Sequence, residues 1–168
     1  MKHFLSERLI QCPSMLLSQL TEVKPVSTAI VAADHAIALD SARQAFDAGI
    51  IQPVLIGGLA KISEAAENIG WDISALECIE ANGENEAAEE GARLAHVGSV
   101  NMVMKGHIHT DAFMRPLLAK GSGIRTGRRL SHVFHMSLPG RDDSLLLTDC
   151  ALNVAPDIET RIAIIENA

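Results

Sequence analysis

The chain has 168 residues, 48% of them hydrophobic and only 3% aromatic, with a formal net charge of -7 at neutral pH. That length holds one ordinary domain with a proper hydrophobic core, and the apolar content excludes disorder. An acidic, aromatic-poor chain lacks the cation field and the stacking platform of a nucleic-acid binder, and no apolar run approaches the roughly 20 residues of a membrane span.

With no Tyr and one Trp, the core is aliphatic, the composition of buried parallel strands covered by Ala-rich helices. The opening stretch MKHFLSERLIQCPSMLLSQL places Glu7 and Arg8 where a signal peptide needs an unbroken apolar run. Phe4, Leu5, Leu9 and Ile10 share one helical face. Residues 1–25 therefore read as an N-terminal helical segment closed by Pro25, and residues 26–168 as an α/β domain. VSTAIVAAD (26–34) is a buried strand by its β-branched apolar run. Residues 36–48 carry apolar side chains at helical spacing, and Gly49 is placed to stop them. IIQPVLIGG (50–58) is a second strand, in which Pro53 demands an early or edge position. A helix over 59–69 stops at Gly70, a short strand covers 78–82, and a third helix covers 84–97. The strand at 100–106 delivers Lys105 and Gly106 at its end. Thr110 or Asp111 is placed to cap a helix over 111–120, with Pro116 in or near its first turn. RRLSHVFHMSLPG and DSLLLTDCALNV read as two strands joined by a turn at 140–143, and PDIETRIAIIENA as an amphipathic helix with Pro156 near its start.

Strands alternating with helices of ten or more residues predict a three-layer α/β/α fold with a mostly parallel sheet. Ligands of such sheets bind beyond the carboxyl ends of the strands. Cys12, Cys78 and Cys150 are far apart and in no C-x-x-C spacing, so they read as reduced core residues of a cytoplasmic protein, not a disulfide frame or zinc site.

The segment from Lys105 to Arg141 inverts the charge of the chain. It holds Lys105, Arg115, Lys120, Arg125, Arg128, Arg129 and Arg141, half of the 14 Lys and Arg, with Asp111 as its only acid. Four of the seven histidines and glycines 106, 121, 123, 127 and 140 lie there too. Cations gathered on one stretch of an acidic chain, with glycines that let backbone N–H groups approach, point to a small anionic ligand bearing phosphate.

Three patches, KGHIHTDAFMRPLL (105–118), RTGRRLSHVF (125–134) and LLTDCALNVAPDIETRIAIIENA (146–168), in this order and spacing, resemble the phosphate acetyltransferase and phosphate butyryltransferase family. The run from SHVF to TDCALNVAPD resembles the butyryltransferase branch more. The resemblance implies transfer of a short-chain acyl group between coenzyme A and inorganic phosphate. It also implies that phosphate attacks the thioester carbonyl directly, without an acyl-enzyme. It implies no cofactor and no protein-bound metal, coenzyme A and phosphate being substrates. It implies a two-domain α/β fold in members roughly twice this length, of which this chain corresponds to the N-terminal half. The family's Ser-Arg pair and nearby Asp belong to the other half, so no catalytic residue is assigned here.

Substrate binding falls to Lys105, Gly106, His109, Thr110, Arg115, Ser131, Asp149 and Asn153. Arg115 matches the family's arginine after the KGxxxT loop and implies phosphate or coenzyme A binding; the alternative is a solvated helix-face arginine. Lys105 and Gly106 end a strand, where an anion contact and a solvated lysine are both open. His107 and His109 make an H-x-H pair without a convincing third ligand, which favours a loop role for Thr110 and one imidazole. Ser131 hydrogen-bonds near the ligand loop or forms a structural pair with His132. Asp149 and Asn153 follow a strand and face substrate or cap a turn. Arg125, Arg128 and Arg129 attract coenzyme A phosphates or form a solvated cluster. Gly57-Gly58 lacks the G-x-G-x-x-G spacing of a dinucleotide loop. The expected partners are acyl-CoA and phosphate, with a second copy in a homodimer or a complementary C-terminal half, and neither nucleic acid nor membrane. The alternative function is a non-catalytic or split-enzyme module that binds coenzyme A or phosphate.

Overall fold

The eight elements that position the strand-end site come in strict alternation along the chain. They are β1 (Val26–Val31), α1 (Ala36–Asp47), β2 (Ile51–Gly57), α2 (Leu59–Asn68), β3 (Glu77–Glu80), α3 (Glu84–His96), β4 (Met102–Lys105) and α4 (Thr110–Leu118). The structure, a computed structural model, describes residue 18 and residues 24–137 and 144–168. The N-terminal helix expected around Phe4 to Ile10, Cys12 and the turn expected at 140–143 lie outside the described residues. Two compact units divide the chain, one of them Val23–Gly127, and Arg128–Ala168 belong to the other.

In the first unit the four strands are parallel and ordered β3-β2-β1-β4. Ile30 of β1 pairs with Leu55 on one side and Met104 on the other. Successive strand residues point to opposite faces, and both faces are apolar. Ile30 and Leu55 pack with Leu39, Ala42, Ile62 and Trp71, the face covered by α1 and α2. Val31 and Ile56 pack with Ala87, Ala88, Leu94 and Ile108, the face covered by α3 and α4. The result is a three-layer α/β arrangement. Small side chains let the helices close on the sheet, and Gly91 is the extreme case. A Cβ there would lie 2.5 Å from Val31 Cγ2 and 3.5 Å from Val103 Cγ1, so α3 carries a mid-helix glycine despite a cost of about 1 kcal/mol in propensity.

Two prolines show how the sheet and helix tolerate a missing N–H. Pro53 lies in β2, a strand with neighbours on both sides, yet pairing with β3 begins only at Val54↔Glu77. Pro53 therefore sits where that side of β2 has no partner, which fits the early position the sequence demands. Pro116 is not in the first turn of its helix. α4 begins at Thr110 with His109 as its N-cap, ahead of both residues expected to cap it, and Pro116 is its seventh residue. The helix ends two residues later, so the break is confined to its last turn.

The described residues of the other unit form an antiparallel pair, β5 (Val133–Ser137) with β6 (Ser144–Thr148), in register Val133↔Thr148, followed by α5 (Ile158–Asn167). Asp157 caps α5, its carboxylate accepting from Thr160 N–H at 2.8 Å. The irregular segment ahead of β5 is held by side chains along its length. Asn167 Nδ2 donates to Arg129 O and to Ser131 Oγ, at 2.8 and 2.9 Å. Asn153 Nδ2 donates to Leu130 O at 3.0 Å, and Thr148 Oγ1 to His132 O at 3.0 Å. Cys78 is half-buried, and burial pushes its thiol up. Cys150 is exposed, against the expectation of a core residue, because the chain has left β6 at Thr148 and entered a turn.

Candidate functional site

The strand order β3-β2-β1-β4 places a topological switch point between β1 and β4. The chain leaves β1 toward β2 on one side, while β4 returns on the other, and a crevice opens beyond the carboxyl ends of such a strand pair. Here the two strand ends are stitched together. Gly106 N–H donates to Val31 O at 2.8 Å, and His107 N–H to Ala32 O at 3.1 Å. Ala32 takes a left-handed φ of 56° to turn its carbonyl into this stitch. A Cβ on Gly106 would strike the backbone carbonyls of both Val31 and Ala32. Above the stitch the rings of His35 and His107 stack with centroids 4.2 Å apart and planes 16° from parallel. His35 also caps α1, its Nδ1 accepting from Ile37 N–H at 3.3 Å.

A cleft of about 290 Å³ lies at these strand ends, and Asp34, Gly57, Lys61, Gly83, Glu84 and His107 are among its lining residues. Lys61 Nζ lies 4.0 Å from Asp34 Oδ2. Three backbone donors near the strand ends are taken by the chain's own carboxylates. Glu80 accepts from Leu59 N–H at 3.0 Å, Glu86 from Asn82 N–H at 2.7 Å, and Glu84 from His109 N–H at 3.1 Å. Such carboxylates sit favourably against helix N-termini. Glu84 does more. Both its oxygens approach Nδ1 of the His109 ring, at 2.8 and 2.9 Å. The backbone and then the ring hydrogen bonds of His109 hold the Glu84 carboxyl below the usual carboxylate range, against smaller opposing effects of desolvation and, last, of the Asp111 charge.

A second hollow, of about 550 Å³, runs between α3 and α4, with Glu89, Arg93, His96, Arg115 and Ser122 in its lining. Arg93 is engaged by Glu90 through two bonds of 2.6 and 2.8 Å. Arg115 reaches Asp111 at 3.4 Å, with 69% of its side chain exposed.

The structure thus gathers Lys105, Gly106, His109 and Thr110 at the end of β4 and the start of α4, and turns Arg115 toward the groove between α3 and α4. The rings of His107 and His109 engage different partners, His35 and Glu84. Ser131, Asp149 and Asn153 belong to the other unit. Ser131 accepts from Asn167, and Asn153 holds Leu130 O. Asp149 sits at a left-handed φ of 53°, with Oδ2 accepting from Asn153 N–H at 3.1 Å. Its Oδ1, like His132 Nδ1, is buried without a hydrogen-bond partner among the described residues. The sequence reading missed Glu84 and His35. Glu84 carried a signal, the first acid after a glycine at a helix start; His35, next to Asp34 after a strand, carried only its place.

The chain is similar to known proteins. The family model described as phosphate acetyl/butaryl transferase matches residues 84–168. A phosphate acetyltransferase of Rhizobium meliloti is 38% identical over 130 residues, 77% of this chain and 41% of the relative. A phosphate butyryltransferase of Clostridium beijerinckii is 35% identical over 153 residues, 91% of this chain and 51% of the relative. The crystal structure of a phosphotransacetylase from Streptococcus pyogenes superposes with a TM-score of 0.74 at 17% identity, over 92% of this chain and 56% of the other, a likeness of fold. The chain spans about half the length of the curated relatives it matches.

Proposed function

The chain belongs to the phosphate acetyl/butaryl transferase family, and from that premise we propose that it serves in transfer of a short-chain acyl group between coenzyme A and inorganic phosphate. The observation that carries this reading is the position of the KGHIHT loop, whose Lys105, Gly106, His109 and Thr110 follow β4 beside the end of β1, at the switch point of the sheet. Phosphate attack on a thioester carbonyl needs the two reactants held in line, with donors for the phosphate oxygens and for the carbonyl oxygen as it becomes an oxyanion. A phosphate oxygen bonds the acyl carbon, the C–S bond breaks, and the thiolate of coenzyme A takes up a proton. Coenzyme A and phosphate are substrates, and the reaction calls for no further cofactor. Ser131, Asp149 and Asn153 are also proposed to bind substrate. No helix among the described residues is long and apolar enough to cross a membrane, and a cytoplasmic setting fits substrates of this kind.

A second reading has its own support. A chain spanning about half of its relatives suits a coenzyme A- or phosphate-binding module whose site is completed by a complementary C-terminal half or a second copy. Phosphate-dependent thiol release from acetyl-CoA and butyryl-CoA by the purified chain separates the two. Release is expected, faster with the acyl group the site prefers, and Arg115→Ala is expected to raise KM for coenzyme A or phosphate by roughly 10- to 100-fold, the loss of a charge-assisted hydrogen bond. Coenzyme A binding by calorimetry without thiol release would establish the module instead.

A further inference from the structure

His109 is held in a way its exposure does not explain. Its side chain is 81% exposed, and an exposed ion pair contributes little to stability, while fixing a free side chain costs entropy. Yet Glu84, 25 residues earlier, binds both its backbone N–H and its ring Nδ1. An ionised carboxylate only accepts hydrogen bonds, so Nδ1 must carry a proton whether the ring is neutral or charged. A neutral imidazole left to water favours the opposite tautomer, with its proton on Nε2. Glu84 reverses that preference and leaves Nε2 pointing away from the bonded edge, without a hydrogen-bond partner among the described residues. The location is specific. His109 caps α4 without a side-chain hydrogen bond to its first turn, and Glu84 lines the strand-end cleft with Asp34, Lys61 and His107, while Asp111 stands in the first turn of α4.

We propose that Glu84 is a positioning residue that fixes the His109 ring with its proton on Nδ1, so that Nε2 is presented at the strand-end rim to bond an oxygen of inorganic phosphate. The identity of the anion rests on the acyltransferase reading above; the orientation of the ring does not. With a neutral ring Nε2 accepts from a P–OH group, and with a charged ring it donates to a P–O⁻ oxygen. In both states it is the nitrogen facing the anion, and no proton need cross for binding.

Ring nitrogen NMR of the ¹⁵N-histidine-labelled chain tests this, with His109→Gln assigning the signal and inorganic phosphate as the probe. The expected result is a protonated Nδ1 and an unprotonated Nε2 for neutral His109, with Nε2 shifting saturably as phosphate is added. In Glu84→Gln an amide offers one acceptor oxygen for two donors and puts an NH₂ group in place of the other, so the tautomer reverts and phosphate binding weakens roughly tenfold. His109→Gln, which keeps a polar nitrogen where Nε2 lies, retains more phosphate binding than His109→Asn, which keeps one where Nδ1 lies. These two variants and the wild-type tautomer decide the matter even if Glu84→Gln fails to fold. A neutral ring protonated on Nε2, an Nε2 signal unmoved by saturating phosphate, or equal binding by the Gln and Asn variants would each overturn the proposal. Phosphate-dependent Nε2 shifts in a chain that releases no thiol would refute self-sufficient acyl transfer and leave the positioning role standing; thiol release with a silent Nε2 would do the reverse.

Discussion

Gly106 shows how one residue can be marked in the sequence for one reason and needed in the structure for another. Its place in a basic, glycine-rich segment suggests a backbone that approaches an anion. The fold demands the same residue for a different contact, since the space a Cβ would take is filled by the carbonyls of Val31 and Ala32. Those are backbone atoms in a strand-end stitch, so neither can swing aside. Gly106→Ala is expected to destabilise the first unit by about 1–3 kcal/mol, read as a lower denaturation midpoint with an unchanged denaturant slope. A midpoint equal to that of the wild type would show that the stitch yields. The neighbouring Glu84 was legible only as an acid at a helix start: its bond to His109 joins the start of α3 to the start of α4, and nothing local to GENEAAEEG records which distant ring it will meet. The positions of Lys105 and Thr110 were legible because a strand end and a helix start can both be read from neighbours.

At the scale of elements, α5 is the helix whose start depends most openly on one ionisation. Backbone and then side-chain hydrogen bonds of Thr160 hold the Asp157 carboxyl below the usual aspartate range, aided by Arg129 and Arg161. A carboxyl whose folded value lies below its unfolded value contributes stability that is fully present above the unfolded value and is lost as pH falls through the folded one. The first turn of α5 is therefore expected to loosen on acidification, seen as a decline of helical ¹³Cα shifts at 158–161, and Asp157→Ala should remove that acid-dependent step. A step that persists in Asp157→Ala would assign it to another group. The strands and helices of the first unit were largely legible, because apolar period and glycine stops are local signals. Pro53 fits the early position expected of it, while Pro116 was less legible. Pro53 sits in an interior strand because β3 pairs only from Val54 onward, an offset fixed between strands and written in neither alone. Pro116 was expected in or near the first turn but is the seventh residue of α4, which begins at Thr110 behind His109, a residue with little capping preference.

At the scale of the whole molecule, apolar surface is concentrated in the second unit. Phe134, Met136, Leu145 and Leu146 of β5 and β6 are exposed, and so are Ile158, Ile162 and Ile165 of α5. Adjacent strands and a helix that all show apolar side chains mark an interaction surface. We expect the chain to self-associate, as a homodimer, or to bind a complementary half supplied separately. Sedimentation at micromolar concentration checks this: a dimer that weakens in Leu146→Lys is the expected outcome, and a strict monomer would count against it. The sequence carried the apolar residues of this surface openly, but their exposure depends on what does and does not pack over them, which periodicity cannot convey.

The strand order has one more consequence, in time. β1 is one of the two interior strands of the first sheet, with Thr28, Ile30 and Val31 fully buried, yet its second neighbour β4 is encoded roughly 70 residues after it, a strongly non-local pairing. A ribosome adding about 5–20 residues per second takes roughly 4–14 s to cover that distance. Throughout that interval β1 can pair with β2 but offers its other edge, a row of unpaired amide groups between apolar side chains, to any strand nearby. The nascent chain is therefore most prone to aggregate before Met102–Lys105 emerges, and a holding chaperone would be most useful at that stage of synthesis.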